Sequence, residues 1–329
     1  MSVKFHGARV FVTGGAGFIG SHIVDRLIAD GAQVTIYDNF STGQESFVAH
    51  HAGDRQVSIV RADVLDLPRL VQAMAGHSFV FHLQANADVR GGIHHTRLDL
   101  EQNIIATWNV LDAMRQNGIK HLAFASSATV YGDPSVFPTP EDYKPVQTSL
   151  YGASKLAGEA MAETYCEYYG MTCYVFRFVS WIGERYTHGV IFDFMKKLRD
   201  NPGELEVLGD GLQRKSYLDV TDGVAGIFCA IDRAPDRKNL FNLGHDEVMN
   251  VMDLAAIVIA EMGLSGVKLR TTGGDRGWAG DSPFVHLDTK RIKSLGWRPA
   301  TSIAQGIRNS VQYLLANPNV LARRPIGGV

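Results

Sequence analysis

The chain has 329 residues, 45% of them hydrophobic, and a formal net charge of −2 at pH 7. Such a chain can bury a large core and fold as one large domain or as two interleaved domains. Its charges form neither a basic face nor a polybasic run, which excludes nucleic acid and a membrane surface as partners. The spacing of the three cysteines is not typical of a metal or redox site. The first residues lack a signal-peptide pattern, and no apolar run approaches ~18 residues. We therefore expect a cytoplasmic protein.

The first pattern in the chain is typical of a strand, a glycine-rich loop and a helix. Residues 9–13 are a β-branched and aromatic run, glycines follow at positions 14, 15, 17 and 20, and an apolar helical period comes next. Glycines at this spacing let the backbone approach a pyrophosphate at the helix N-terminus. A second predicted strand, 33–37, ends at Asp38, where an acid binds a dinucleotide ribose and repels a 2′-phosphate. The pattern therefore favours NAD over NADP; the alternative is that Asp38 only caps a turn.

Strands and helices then alternate along the chain. Further strands are predicted at residues 57–62, 79–83, 121–125 and 173–178, with helices at 66–75 and 100–117. The alternation predicts an α/β fold with a Rossmann-type, doubly wound parallel sheet. Ligands bind at the carboxyl ends of such strands, so Asp63 becomes a candidate for the adenine edge and Ser127 for the reaction site.

Tyr151 and Lys155 lie four residues apart in a predicted helix and therefore share one face. A tyrosine has a pKa near 10, and a neighbouring positive charge lowers it by about one to three units. The pair is thus expected to supply a phenol that ionises near neutral pH and acts as a general base.

Four motifs in register carry a resemblance to a known family. Residues 14–20, 38–43, 126–132 and 151–155 read GGAGFIG, DNFSTG, SSATVYG and YGASK. Together they resemble the extended short-chain dehydrogenase/reductase family, and within it the nucleotide-sugar epimerases of the UDP-glucose/UDP-galactose 4-epimerase type. The resemblance spans nearly the whole chain and implies an enzyme that keeps NAD bound. It also implies that Ser127, Tyr151 and Lys155 are catalytic and that Lys155 binds the nicotinamide ribose.

The same resemblance implies a set of cofactor-binding residues. Asn103 resembles the asparagine that supports the active-site backbone in the family, with a helix N-cap as the alternative. The full set is Gly14, Gly17, Phe18, Ile19, Gly20, Asp38, Asn39, Ser41, Gly43, Asp63, Val64, Leu83, Ala85, Asn103, Tyr151, Lys155 and Phe178.

Glycine and proline become more frequent beyond residue 178, which indicates a second, smaller domain. We expect residues 1–178 to form the dinucleotide-binding domain, with 221–262 returning to it. An interleaved C-terminal substrate domain would then comprise residues 179–220 and 263–329.

The substrate residues implied by the resemblance are Thr129, Ser180, Arg214, Lys215, Arg276 and Val285. Ser180 replaces a family asparagine and Lys215 a family arginine, and an ammonium does not bind a diphosphate as a guanidinium does. Val285 stands where a tyrosine restricts relatives to plain hexoses, and Gly91 and Gly92 are expected to remove further bulk. The pocket should therefore admit an N-acetyl group at C2 or a carboxylate at C6, unless Phe284 turns inward and fills the gap.

The resemblance predicts an NAD-dependent UDP-hexose 4-epimerase that oxidises C4, lets the ketone rotate and returns the hydride. A nucleotide-sugar 4,6-dehydratase and a 4-ketoreductase remain alternatives, and a non-catalytic NAD-binding regulator is a further one. The 4,6-dehydratases resemble one another in having Asp-Glu directly after the Ser/Thr. This chain has Ala128 and Thr129 at those two positions. The same missing glutamate disfavours a UDP-glucuronate decarboxylase.

Two further expectations concern assembly and metals. Helices at about 103–117 and 151–169 carry more aromatic and aliphatic side chains than one sheet face needs, and relatives pair such helices, so we expect a C2 homodimer. The pairs His50-His51 and His94-His95 have no Cys, Asp or Glu at ligand spacing, so we expect no metal site.

Overall fold

A seven-stranded parallel sheet forms the centre of the computed structural model, which describes residues 5–322. The ends of the predicted domain ranges, 1–4 and 323–329, lie outside the described residues. Across the sheet the strands are β11 (Lys238–Leu243), β6 (Thr172–Phe178), β5 (His121–Ser127), β4 (Phe79–His82), β1 (Arg9–Thr13), β2 (Gln33–Asp38) and β3 (Val57–Arg61). Every neighbouring pair is parallel, so the predicted Rossmann-type sheet is confirmed.

Both faces of the sheet are covered, because successive side chains of a strand point to opposite sides. On one face Val10 and Val12 of β1 pack in the same core as α1 (Phe18–Ala29) and α7 (Val220–Arg233). On the other face Phe11 packs in a second core with α2 (Leu67–Ala73), α4 (Ala106–Gln116) and α5 (Leu150–Tyr169). The apolar run at the start of the chain is therefore the buried central strand.

The strand order reverses at β1. From this strand the chain proceeds to β2 and β3 on one side, and then crosses to β4, β5 and β6 on the other. The connections after β1 and β4 leave in opposite directions and open a crevice at the carboxyl ends of these strands, which is where such sheets bind ligands.

The predicted helix at 100–117 begins differently from the expectation. A short helix α3 (Thr96–Asp99) leads into a π-helical segment, Leu100–Ile105, and only then does α4 start. Single π-helical turns often occur at functional sites. Asn103 lies in this segment and is buried, so it does not cap the helix.

A second region lies against the carboxyl edge of the sheet and contains short strands and helices. Its strands are β7 (Ser180–Ile182), β8 (Glu204–Val207), β9 (Arg214–Lys215), β10 (Tyr217–Asp219), β12 (Met249–Asn250), β13 (Lys268–Thr271) and β14 (Phe284–Val285). Its helices are α6 (Val190–Asp200), α8 (Val251–Glu261), α9 (Lys290–Ser294), α10 (Ile303–Ala316) and α11 (Pro318–Ala322).

The two regions interleave. The segment that returns to the large sheet consists of α7, which packs on α1, and β11, which pairs with β6. Helix α8 packs instead against α6 and α10, so the returning segment ends near residue 243, whereas the sequence range extended to 262. Between residues 5 and 322 the structure has no helix of the length and apolarity that a membrane crossing requires.

Candidate active site

A cavity of about 830 Å³ lies between the carboxyl edge of the sheet and the second region. This volume lies in the range of small-molecule sites in proteins. Most of the residues predicted from the sequence line it: Gly14, Gly17, Phe18, Ile19, Gly20, Asp38, Asn39, Ser41, Val64, Leu83, Ala85, Ser127, Thr129, Tyr151, Lys155, Phe178, Ser180, Lys215 and Val285. Five others do not lie in its wall: Gly43, Asp63, Asn103, Arg214 and Arg276.

The glycine loop has the shape of a cradle for a dinucleotide. A Cβ atom at Gly14, whose φ is +70°, would lie 2.8 Å from the backbone nitrogen of Gln84. A Cβ atom at Gly20 would lie 2.1 Å from the carbonyl oxygen of Gly14, so only glycine lets the loop and helix meet this closely. Helix α1 starts at Phe18 and no side chain caps it, which leaves its first N–H groups available to an anion. These features fit the pyrophosphate of NAD.

Asp38 ends β2 beside this cradle and is buried. Its Oδ2 atom accepts a hydrogen bond from Ala16 N (3.0 Å), and its Oδ1 atom accepts one from Phe40 N (2.8 Å). Burial raises the pKa of Asp38 although these two backbone hydrogen bonds oppose the shift. A Cβ atom at Gly43 would lie 2.8 Å from the Asp38 carboxylate, so there is no room for a side chain at position 43 beside this acid.

Asp63 contributes indirectly, since its Oδ2 atom accepts a hydrogen bond from Asn39 Nδ2 (2.8 Å). Asn39 lines the cavity and Asp63 holds it in place. The neighbours Ala62 and Val64 also line the cavity, and the backbone carbonyl of Val64 is held by Asn109 Nδ2 (2.8 Å).

Ser127, Tyr151 and Lys155 meet at the end of β5. Ser127 closes this strand, and its Oγ atom accepts a hydrogen bond from Thr129 N (3.2 Å). Helix α5 is capped by Ser149, whose Oγ atom accepts a hydrogen bond from Gly152 N (3.0 Å), and Tyr151 and Lys155 occupy its first two turns. The Lys155 Nζ atom donates a hydrogen bond to the carbonyl oxygen of Ala125 (2.8 Å) and lies 5.8 Å from the centre of the Tyr151 ring.

The electrostatics of this group differ from the sequence expectation. Burial raises the pKa of Tyr151 to about 12; contact with Ser127 lowers it, and the Asp99 carboxylate raises it further. Burial lowers the pKa of Lys155 to about 8, although Asp99 and Glu159 oppose this shift. The phenol therefore keeps its proton at neutral pH in this structure, because burial outweighs the contact with Ser127. The Lys155 ammonium is hydrogen-bonded to the Ala125 carbonyl oxygen.

A buried hydrogen-bond network around Asp99, a residue that the sequence analysis did not single out, lies close to the Tyr151 phenol. Asp99 is 1% exposed, and its Oδ1 atom accepts hydrogen bonds from Asn86 Nδ2 (2.9 Å) and Asn103 Nδ2 (3.0 Å). Asn103 also accepts a hydrogen bond from Asn86 N (2.8 Å) and donates one to Ser154 Oγ (2.8 Å) on α5. Asn103 thus supports the active-site backbone without lining the cavity. Asp99 and Asn103 are four residues apart and share one helical face, so their contact could have been predicted from the sequence.

Gly91 and Gly92 do not widen the pocket as expected. A Cβ atom at Gly92 would lie 2.8 Å from Asp99 Oδ2, and one at Gly91 would lie 2.9 Å from Asp88 Oδ2. Both glycines are buried against these carboxylates and lie outside the cavity wall, so they make room for the acids rather than for a sugar.

The three basic residues that were predicted to bind the substrate have different surroundings. Lys215 lines the cavity, and its Nζ atom pairs with Asp281 Oδ1 (2.5 Å). Arg214 precedes it in β9 and points away, over the ring of Phe284 at 5.1 Å. The Arg276 guanidinium pairs with Asp133 (2.9 Å) and donates a hydrogen bond to the carbonyl oxygen of Asp281 (2.9 Å).

The cavity wall next to Lys215 is formed by β14, in which Val285 pairs with Lys215. Val285 and Phe284 are both half-buried and both line the cavity, so Phe284 contributes to the wall, as in the alternative to the permissive pocket. Phe284 also packs against Phe137, with ring centres 4.5 Å apart. Thr129 lines the cavity with a buried Oγ1 atom that has no hydrogen-bond partner among residues 5–322.

The two histidine pairs also differ in the structure. Asp25 of α1 lies beside both His50 and His51, so an acid accompanies this pair although none stands at ligand spacing in the sequence. The sequence spacing could not show the contact, because α1 and the 3₁₀ turn Ala49–His51 are joined through β2.

Comparison with known proteins shows which family and which enzymes this chain resembles. The sequence pattern of the "NAD dependent epimerase/dehydratase family" matches residues 10–244. A solved structure of a UDP-galactose 4-epimerase is 37% identical, with a TM-score of 0.83 over 94% of this chain and 99% of that one. The Thermus thermophilus UDP-glucose 4-epimerase in complex with NAD is 30% identical, with a TM-score of 0.83 over 93% and 99% of the two chains. UDP-glucuronic acid decarboxylase 1 of Danio rerio is 29% identical over 93% of this chain and 72% of the relative.

Proposed function

Because the chain belongs to the NAD-dependent epimerase/dehydratase family, we propose that it is a UDP-hexose 4-epimerase. The reaction is a transient oxidation at C4 of the sugar, rotation of the ketone and return of the hydride to its other face. NAD, when bound by the glycine loop and Asp38, supplies the hydride acceptor and donor. The strongest support is the position of Ser127, Tyr151 and Lys155 in the wall of a cavity that Lys215 also lines.

In this proposal Tyr151 and Ser127 handle the proton of the 4-hydroxyl group. Their contact lowers the pKa of the phenol against the effect of burial, so Ser127 is placed to relay a proton to and from Tyr151. Lys155, with a pKa of about 8, carries its charge for most of the time at pH 7 and is the cation nearest to the phenol. Its amine is fixed by Ala125, and its helix is tied to the sheet by the buried Glu159–Arg177 ion pair (2.7 Å).

Inversion requires that the sugar turns while the rest of the substrate stays bound. Lys215 is one of the cations in the cavity wall and is the one we assign to the diphosphate; Ser180 and Thr129 offer hydroxyl groups in the same wall. Anchoring a substrate by its charged end leaves the hexose free to present either face of C4.

The relatives include a decarboxylase, and the residues after Ser127 argue against that chemistry and against dehydration. Both reactions need a further acid or base next to the sugar ring. Ala128 offers a methyl group, and Thr129 offers a hydroxyl group whose oxygen has no hydrogen-bond partner among the described residues. A 4-ketoreductase would use the same three catalytic residues. It can be distinguished from an epimerase because it consumes NADH in each turnover.

The experiment is a panel of UDP-, dTDP-, GDP- and CDP-hexoses, with 4-epimers followed by chromatography and NADH followed by absorbance. We expect the 4-epimer of a UDP-sugar without net change in NADH. A product that has lost water or carbon dioxide, or NADH consumed in proportion to product, would contradict the proposal. Tyr151→Phe is the control for a contaminating activity.

We also propose that the chain forms a homodimer through α4 and α5. These helices pack side by side and leave Trp108 and Tyr168 44% and 75% exposed, with Tyr169 beside them. Exposed aromatic residues on adjacent helices are typical of an interface. Sedimentation at micromolar concentration should give a dimer, and Trp108→Glu should shift it to a monomer; a wild-type monomer would contradict this.

A further inference from the structure

Three side chains, one from α1 and two from the 3₁₀ turn Ala49–His51, converge outside the cavity wall. His51 Nε2 and His50 Nε2 each lie 2.8 Å from the same oxygen, Oδ1 of Asp25. The three potential ligand atoms lie within 4.8 Å of one another. His51 is 10% exposed, Asp25 30% and His50 47%, so the cluster is set into the surface and open on one side.

The convergence of adjacent residues is unusual. His50 and His51 follow each other in a 3₁₀ turn, Ala49–His51, where successive side chains point about 120° apart. Here the two rings are tilted towards each other with centres 4.0 Å apart, and both reach one carboxylate. The other adjacent pair, His94 and His95, occurs in no such cluster among residues 5–322.

Two imidazole nitrogens and one carboxylate oxygen are ligands that suit borderline divalent transition cations. Zn²⁺ takes histidine nitrogen at about 2.0–2.1 Å and carboxylate oxygen at about 2.0–2.2 Å, so the ligand atoms would be about 3.3 Å apart. Small side-chain rotations at half-exposed His50 cover the difference. Mg²⁺ and Ca²⁺ prefer all-oxygen sites and do not fit. We propose that Asp25, His50 and His51 form a binding site for a zinc-like divalent cation, completed by water.

The surroundings orient the carboxylate for this role. The guanidinium of Arg185 lies 2.8 Å from Asp25 Oδ2, on the side away from the imidazoles, and leaves Oδ1 to face them. A charged partner on the outer oxygen holds the carboxylate in a fixed orientation.

The site also connects two parts of the cavity wall. Asp25 belongs to α1, whose first residues line the cofactor side, and Arg185 precedes Tyr186, Thr187 and His188, which line the same cavity. A bound cation would join α1 to the Ala49–His51 turn, on the same carboxylate that Arg185 links to the segment containing these residues.

The test uses untagged, chelator-treated protein titrated with ZnCl₂ by calorimetry, with metal content read by mass spectrometry. We expect one Zn²⁺ per chain, no response to MgCl₂, and a melting temperature raised by Zn²⁺. With CoCl₂ in place of ZnCl₂, visible absorption bands should show nitrogen and oxygen ligation. Wild-type protein that binds no Zn²⁺ would overturn the proposal.

Variants locate the ion. His51→Ala and His50→Ala should each weaken Zn²⁺ binding by more than about tenfold and remove the rise in melting temperature. His50 is exposed enough that its replacement leaves the fold intact. The matched control is His94→Ala with His95→Ala, which removes an adjacent pair without an acid and should leave Zn²⁺ binding unchanged. Unchanged binding in both single variants, or an equal loss in the control, would overturn the assignment.

Discussion

The two sides of the cavity are built in different ways. On the cofactor side, Gly14 follows β1, Asp38 and Ser127 end the parallel strands β2 and β5, and Tyr151 and Lys155 occupy the start of a 20-residue helix. On the sugar side, Lys215 and Val285 lie on two-residue strands.

The charges differ as well. Lys215 and Arg276 are both paired with carboxylates from distant segments, Asp281 and Asp133. Regular elements position the residues of the cofactor side, whereas a long-range ion pair positions Lys215. Under the proposed function Lys215 exchanges Asp281 for a diphosphate.

The largest effect should come from the regular side. We expect Tyr151→Phe to lower turnover by about 10²–10⁴-fold, the usual share of a general acid or base, and to leave NAD content unchanged. Steady-state rates and NAD content of the purified variant measure this. Turnover within a few-fold of the wild type would remove Tyr151 from the mechanism.

The glycine cradle should be nearly as sensitive. Gly14→Ala introduces a Cβ atom 2.8 Å from a backbone nitrogen at φ +70°, so strain and contact together cost about 2–4 kcal/mol. We expect a loss of NAD affinity on the order of 10²-fold, measured by fluorescence titration. Gly118→Ala is the control, because Gly118 has φ +69° but nothing within 4 Å of a Cβ atom. Equal losses in both variants would show that backbone strain alone is responsible.

The sugar side offers two adjacent basic residues for a matched comparison. Lys215→Ala should raise KM for the nucleotide sugar by about 10–100-fold, the value of one charge-assisted hydrogen bond. Arg214→Ala should change it little, because Arg214 lies over Phe284. A larger effect for Arg214 would mean that β9 turns its other face to the ligand.

The buried network predicts a shift in the pH profile. Asp99 raises the pKa values of both Tyr151 and Lys155, so Asp99→Asn should lower both. The limb governed by the phenol and the limb governed by the ammonium then move together to lower pH, with a fall in turnover of about tenfold. Measuring kcat against pH tests this. The control is Asp112→Asn, which removes a carboxylate of α4 that is paired with Arg115 rather than placed near the phenol. An unmoved profile would reduce Asp99 to a packing role.

The smallest effect concerns the width of the sugar pocket. Val285→Tyr should lower turnover on UDP-N-acetylglucosamine relative to UDP-glucose by several-fold, about 1 kcal/mol of discrimination. Because Phe284 shares this wall, Phe284→Ala should change the ratio in the opposite direction. An unchanged ratio in both variants would exclude β14 as the wall next to C2.

The sequence by itself determined the parallel sheet, the glycine loop, Asp38 and the Tyr151–Lys155 pair. Each of these depends on residues close together in the chain, where strand and helix periods and fixed spacing decide the geometry. For this reason the strands were predicted to within a few residues, and most of the residues predicted for the cofactor line the cavity.

Only the tertiary structure decided what lies across long separations. It brought Asp99 behind the phenol, turned Lys155 to Ala125, paired Arg276 with Asp133 and placed Asp25 beside His50 and His51. It also reversed the expected direction of the Tyr151 pKa shift, since burial depends on everything that packs around a group. Local patterns carry no information on such contacts, because they are set by how distant segments pack.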